Sequence, residues 1–349
     1  MKKSKARLID TLSALVDEYI ESCEPVSSRV ISEKYIRNVS SATLRLDLNK
    51  LEQMDLIFQP HTSAGRIPTI GGYRRYLDSI ESEHRKIRYA RIDTLRELML
   101  RSYRDTPRSL HYIMQLLARE TDQLSFVAEP EVSSGYLSRL EVFNIGDKKL
   151  LFVMSLDSGL DKTVIMRSEY DMNEQQLKKL VRYLNEELVG LRIYDIANRV
   201  LVDMQERSSG EGDLLSQFLG ELHKAFMEIS DFFIHFDGSI KFLEQSEFDS
   251  KENILSFMNL IQRQDYLLKL MRKEEHEGVN ILMGEDFAEP GWQVFALIYA
   301  RYEVFGIPGY LGVIAPMRTD YRRLIPLIRD ISKTITETTK RGMVVPKRY

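Results

Sequence analysis

Between residues 6 and 69 the spacing of apolar side chains changes from helical to strand-like, and that change restricts the opening part of the chain to few architectures. Leu8, Leu12, Leu15, Val16, Tyr19 and Ile20 recur every three or four residues. This puts them on one side of an amphipathic helix stopped at Glu24-Pro25. Ser27 and Ser28 can cap a brief second helix running through Ile31 to Tyr35. Ser40 and Ser41 then offer hydroxyl acceptors to the free amides of a third helix. Its core side carries Leu44, Leu48 and Leu51, and its other side Ala42, Arg45, Leu46 and Asn49. Helical spacing ends there. A short apolar run at 56–58, a turn over 61–65 and Arg66-Ile67 before Pro68 read as a two-stranded hairpin, with Gly65 where positive φ is tolerated. Three short helices followed by such a hairpin describe a winged helix.

The chain has 349 residues, which at ~100 to 200 residues per domain implies two or three domains. After a charged helical stretch over 72–100, three β-prone runs at 136–144, 149–156 and 162–166 are joined by Gly146-Asp147 and Ser158-Gly159, as in an antiparallel meander. Helical stretches follow at 173–189 and 194–205. The polar break SSGEGD at 208–213 marks the best internal boundary. An aromatic-rich helical stretch (214–248) and a further helix (252–273) precede three more strands, at 279–283, 292–304 and 310–314, and a last helix over 320–338. Strands, then helices, then strands again suggest an α+β domain interrupted by a helical insertion. The expected division is 1–85, a helical linker 86–106, an α+β domain in two parts, 107–207 and 251–349, and an insert 208–250.

The lone Cys23 excludes an internal disulfide and points to a reducing, cytoplasmic setting. Lys2, Lys3, Lys5 and Arg7 imitate the start of an export signal, but Asp10, Asp17 and Glu18 interrupt the apolar stretch that should follow. The apolar stretch WQVFALIYA at 292–300 falls far short of the ~20 residues a membrane span needs. No membrane partner is expected.

In a helix-turn-helix, the second helix presents its outer N-terminal residues to base edges while neighbouring elements hold phosphates. Ser41, Thr43, Arg45, Leu46 and Asn49 are the expected base contacts. Arg pairs with guanine and Asn with adenine, whereas an exposed Leu can only touch a thymine methyl or exclude water. Ser28, Arg29, Ser40, Lys50, His61, Thr62, Ser63 and Arg66 are the expected phosphate or minor-groove contacts. The same helix start also suits a capped surface helix, and the first 90 residues, with fifteen Lys or Arg against twelve Asp or Glu, are only mildly basic. Phe226, Phe232, Phe233, Phe236 and Phe242 are more apolar surface than a lone helix can expose. Phe232, Phe233 and Phe236 are taken as a dimer interface.

Catalysis has no local signature. Neither G-x-G-x-x-G nor a phosphate-binding G-x-x-x-x-G-K-[ST] occurs, and the six histidines are scattered without H-E-x-x-H or G-x-S-x-G spacing. His235 reads as a satisfied buried or interface side chain. No metal and no cofactor is expected.

The run LEQMDLIFQPHTSAGRIPT at 51–69 closely resembles the heat-inducible transcription repressors of the HrcA family. The likeness extends upstream through YIESCEPVSSRVISEKY, similar to the family's Y-I-x-T-G-E-P-V-G-S-R-x-L-S-x-x-Y. It continues downstream through GGYRRYLDSI and returns in GYLGVIAPMRTDYRRLIPLI at 309–328. This resemblance implies a winged helix, a GAF-like α+β domain and a dimerisation insert. It further implies a homodimer on an inverted-repeat operator of double-stranded DNA upstream of chaperone operons, with a GroEL-type chaperonin promoting the active form and heat relieving repression. A small-molecule-responsive regulator using the GAF-like domain is the alternative. The chain departs from S-P-A-T-I-R-N at Ser41, where the family has Pro, and at Leu46, where it has Asn. Cys23 replaces a Gly, and a small structural residue is expected there.

Overall fold

A computed structural model describes residues 2–61, 64–81, 97, 106–167, 173–207, 214–230, 233–289 and 291–344. The opening segment folds as the apolar spacing requires. Helix α1 (Lys2–Ser22) crosses a helix-turn-helix made of α2 (Ser28–Val30), which continues as a π turn over Ile31–Tyr35, and α3 (Ser41–Gln53). Strands β1 (Ile57–Phe58) and β2 (Ile67–Pro68) pair antiparallel and lead into α4 (Ile70–Glu81). Leu12, Leu15, Val16, Val26, Ile31, Leu44, Leu48, Leu51 and Ile57 are buried together. The wing is anchored at its base, where Val26 and Arg66 exchange both backbone hydrogen bonds at 2.9 and 2.8 Å. That anchor corrects the reading of Gly65. Its φ is not positive, and glycine is required because a Cβ would sit 2.4 Å from the Pro25 carbonyl oxygen. Of the linker expected over 86–106, only Glu97 and Thr106 lie within the described residues.

Beyond α5 (Thr106–Thr121), the described residues form two bodies. The first is an antiparallel five-stranded sheet in the order β7-β3-β10-β9-β8, from β3 (Leu124–Ala128), β7 (Ile234–Asp237), β8 (Val279–Met283), β9 (Phe295–Val304) and β10 (Ile307–Pro316). β9 and β10 are buried almost throughout because both faces are covered. The closing helix α13 (Tyr321–Val344) and α5 cover one face. The other bears an aromatic core of Phe242, Phe248, Phe257, Phe295, Phe287 and Trp292, beneath α10 (Ser239–Leu243), α11 (Lys251–Gln262) and α12 (Gln264–Lys273).

The second body is the meander β4 (Leu137–Asn144), β5 (Lys149–Leu156) and β6 (Asp161–Arg167), in strict antiparallel order. One face packs on α6 (Glu174–Leu188), α7 (Ile193–Asp195), α8 (Leu201–Arg207) and α9 (Leu214–Ser230), burying Phe152, Met154, Leu184, Phe218 and Phe226.

These cores alter the expected organisation. The break at 208–213 joins α8 and α9, which share one core, so a boundary there would divide a single body. The insertion instead leaves the five-stranded sheet after β3 and returns at β7, two strands that pair with each other. The helical stretch expected over 214–248 stops at Ser230, because the β-branched and aromatic run Ile234–Asp237 satisfies its backbone as an edge strand on β3. The helix expected over 252–273 is two helices, broken at Arg263. The meander and the closing helix fall where the spacing placed them. No described helix is long and apolar enough to cross a membrane.

Candidate nucleic-acid interface

The start of α3 is fixed by its serines. Ser40, in extended backbone, accepts a hydrogen bond from the Thr43 amide at 3.2 Å, and its Oγ lies 2.9 Å from the Thr43 hydroxyl. The Ser41 hydroxyl lies 2.9 Å from that of Ser28, which is buried and ties the two helix starts together. The roll of α3 is set from below. Asp47 is buried, and the Arg7 guanidinium grips its carboxylate through Nε at 2.6 Å and Nη2 at 3.0 Å. A paired, two-pronged contact of this kind compensates the cost of burying a charge and fixes orientation as well.

With Leu44, Asp47, Leu48 and Leu51 inward, the outward face of α3 carries Ala42, Arg45, Leu46, Asn49 and Lys50, all exposed. Arg45 and Lys50 make no hydrogen bond with any described residue that would hold them from a ligand. Asn49 differs: its Oδ1 accepts from Arg66 Nη2 at 3.3 Å, and the same nitrogen reaches Glu52 at 3.2 Å. Arg66 therefore folds back from the wing onto α3 and is mostly covered. Of the remaining expected phosphate contacts, His61 is exposed at the wing tip, where Gln59 Nε2 donates to the Ala64 carbonyl at 2.8 Å and closes the loop. Arg29 is exposed and paired with Glu33 at 2.7 Å. Thr62 and Ser63 lie outside the described residues.

Sequence reasoning missed the supports behind this face. Lys34 bridges Glu18 and Glu21, both at 2.7 Å. Tyr35 donates to Glu18 at 2.9 Å, and burial, with the Glu18 carboxylate, pushes its hydroxyl up to about 12. The one available signal was Asp47, a carboxylate three residues after Leu44 and so on the core side of the helix, which implies a buried cationic partner. Together the supports hold a face bearing two cations unpaired among the described residues and an exposed leucine, with the exposed His61 on the wing beside it, a set of groups that suits a duplex groove.

Tyr73 and Tyr76 of α4 pack on Tyr321 of α13. Asp17 accepts from Tyr76 Oη at 2.5 Å and Arg322 Nε at 3.2 Å, and Arg74 pairs with Asp286 at 2.8 Å. These contacts seat the winged helix on the five-stranded body with α3 still exposed.

The aromatic cluster is divided among different environments. Phe226 and Phe242 are core, Phe236 is half-buried against Phe126, Phe233 is half exposed, and Phe232 lies outside the described residues. His235 is exposed rather than buried, its Nε2 2.8 Å from Glu129. Among the described residues no group of His, Cys, Asp and Glu is placed to hold a metal.

Residues 108–325 match the family model described as the HrcA protein C terminal domain. The heat-inducible transcription repressor HrcA of Syntrophobacter fumaroxidans is 30% identical over 332 residues, covering 93% of this chain and 94% of that protein. Its namesake from Natranaerobius thermophilus is 29% identical over 326 residues, with the same coverage of 93% and 94%. A solved structure, described as that of a hypothetical protein at 2.2 Å resolution, shares the fold with a TM-score of 0.64 over 96% of this chain and 98% of its own, at 23% identity. On the extent of the family-model match and of the likeness to these relatives, the chain belongs to the HrcA family of heat-inducible transcription repressors.

Proposed function

We propose that this heat-shock repressor binds, as a homodimer, an inverted-repeat operator upstream of chaperone operons, and that a GroEL-type chaperonin promotes its active form. The observation that carries this reading is the outward face of α3, where Arg45 and Lys50 stand free on a helix whose roll is locked by Arg7 and Asp47. Two such helices related by a dyad fit successive major grooves, one helical turn apart. Arg29 and His61 flank the face and reach the backbone.

The dimer follows from the same logic, because one chain carries one recognition helix. The face of the meander turned away from its helices bears Phe143, Leu151 and Ile165 in one register row, with Phe143 and Ile165 exposed. A second copy seated there buries this row, and Phe233 beside edge strand β7 offers a further contact. Ile165→Arg is expected to convert the dimer to monomer in sedimentation.

Gel-shift titration with the inverted repeat from a chaperone promoter tests the main claim. Tight binding to the repeat over scrambled duplex is expected, and equal binding to both sinks it. With ~6 to 10 phosphates contacted, affinity drops ~10³- to 10⁵-fold between 50 and 200 mM salt. Replacing Arg45 by Ala costs ~1 to 3 kcal/mol at the operator and relaxes one base position.

Heat acts, in this reading, through the chaperonin. A multidomain chain with a large insertion passes through partly folded states, and operator affinity falls with the competent fraction. Unfolded clients compete for the chaperonin and lower that fraction. Operator binding by heated protein, with and without chaperonin, checks this, and full recovery without it would point to direct thermal switching instead. Both faces of the five-stranded sheet are filled by side chains, which favours this route over a small-molecule effector.

A further inference from the structure

Several polar residues expected to read bases are already engaged within the protein. The Ser41 hydroxyl meets Ser28, the Thr43 hydroxyl meets Ser40, and the Asn49 amide oxygen holds Arg66. What the outward face of α3 offers freely is therefore narrower than its sequence suggests. Residues four apart on a helix lie one above the other, so Ala42 and Leu46 form an apolar stripe beside the row that begins with Arg45. Leu46 is 62% exposed, although α3 already has a complete inward face in Leu44, Leu48 and Leu51. An isobutyl group standing in water on a locked helix contributes nothing to this chain's own core.

Resting on the operator-binding reading above, we propose that Leu46, with Ala42 beside it, is a specificity-determining residue that selects thymine by packing on its C5-methyl group. In the major groove that methyl is the one apolar feature a base pair presents, and aliphatic side chains recognise it by contact. Arg45, one residue away, reads a guanine adjacent to that step. An asparagine at position 46 would instead pair with adenine, so the residue at this position decides which base is accepted there.

The test uses full-length protein and the inverted repeat from a chaperone promoter. Each thymine of a half-site and its dyad mate is replaced in turn by uracil, which keeps base pairing and removes only the methyl group. At one position wild-type affinity falls about fourfold per half-site, the equivalent of ~0.8 kcal/mol for one buried carbon, or about 15-fold for the symmetric pair. Leu46→Ala binds the thymine and uracil duplexes equally at that position, and Leu46→Asn prefers adenine there. Because Leu46 is exposed, both variants keep the wild-type melting curve. Tight, specific wild-type binding that no uracil weakens would overturn the proposal, as would a Leu46→Ala variant that keeps the wild-type uracil sensitivity. Equal affinity for operator and scrambled duplex would overturn the operator reading along with it.

Discussion

Cys23 shows how a single backbone angle outweighs side-chain chemistry. It follows α1, its amide donating to the Tyr19 carbonyl at 3.0 Å, and its φ is 60°. A left-handed backbone costs an ordinary residue ~1 to 2 kcal/mol, and glycine escapes most of that at the expense of greater freedom when unfolded. Cys23→Gly is therefore expected to stabilise the protein by ~0.5 to 1 kcal/mol in urea melts, and a loss of stability would contradict the argument. Gly65 shows the reverse case, where space and not angle is decisive. A methyl group there would press on the Pro25 carbonyl and prise the wing from Val26. Gly65→Ala should cost ~2 kcal/mol, the usual penalty of forcing extra volume into a packed site, and should raise hydrogen exchange at the Val26 and Arg66 amides before any other part of the wing. The sequence marked both positions as special but suggested the wrong cause for Gly65, because the approach of Pro25 is a tertiary fact.

Among elements, legibility followed the length and regularity of the pattern. The six apolar positions of α1 at three- and four-residue spacing, the serine caps of α3 and the glycine turns of the meander each carry their own local cause, and each element formed where expected. β3 and β7 did not reveal themselves. Each is short and finds its partners across more than a hundred residues, β7 on β3 and β3 on β7 and β10, so the run FFIHF at 232–236 looked helical beside the real helix α9. The same pair carries the charged joint between the two bodies. Glu129, just past β3, meets His235 of β7 at 2.8 Å and Lys162 of β6 at 3.0 Å. Burial alone would raise the Glu129 carboxyl, but the hydrogen bonds from His235 and Lys162 together outweigh it and hold it below its ordinary value of 4.5. A carboxyl depressed in the folded state contributes stability above its unfolded pKa and loses it as pH falls through the folded one. Glu129→Gln should thus be less stable than wild type at pH 7, with the gap closing on acidification below about pH 4.5. Melts across that range would show parallel curves if the joint contributed nothing.

At the scale of the whole molecule, the winged helix is part of one continuous core with the body beneath it. Leu12, Leu15 and Val16 of α1 and Tyr73 and Tyr76 of α4 belong to the same buried cluster as Tyr321, Leu324 and Ile328 of α13 and the inner face of β9. Asp17, Tyr76 and Arg322 add a hydrogen-bonded joint, with the Arg322 guanidinium over the Tyr76 ring at 5.4 Å. None of this was legible, since residues some three hundred positions apart carry no mark of their meeting. On the proposed operator reading the coupling bears on function, because a dimer would read two half-sites at once. When one recognition helix is bound, the second binds at an effective concentration set by how rigidly its position is held. Tyr321→Ala removes the ring on which both tyrosines of α4 rest and frees the winged helix to swing. Its expected signature is selective: affinity for an isolated half-site stays as in wild type, while affinity for the full inverted repeat falls and tolerance to altered spacing between half-sites widens. Calorimetry should then resolve a separate melting step for the winged helix that wild type lacks. If half-site and full-site affinities fell together, Tyr321 would be acting on the fold of the winged helix itself, and its seat on α13 would have no part in setting operator geometry.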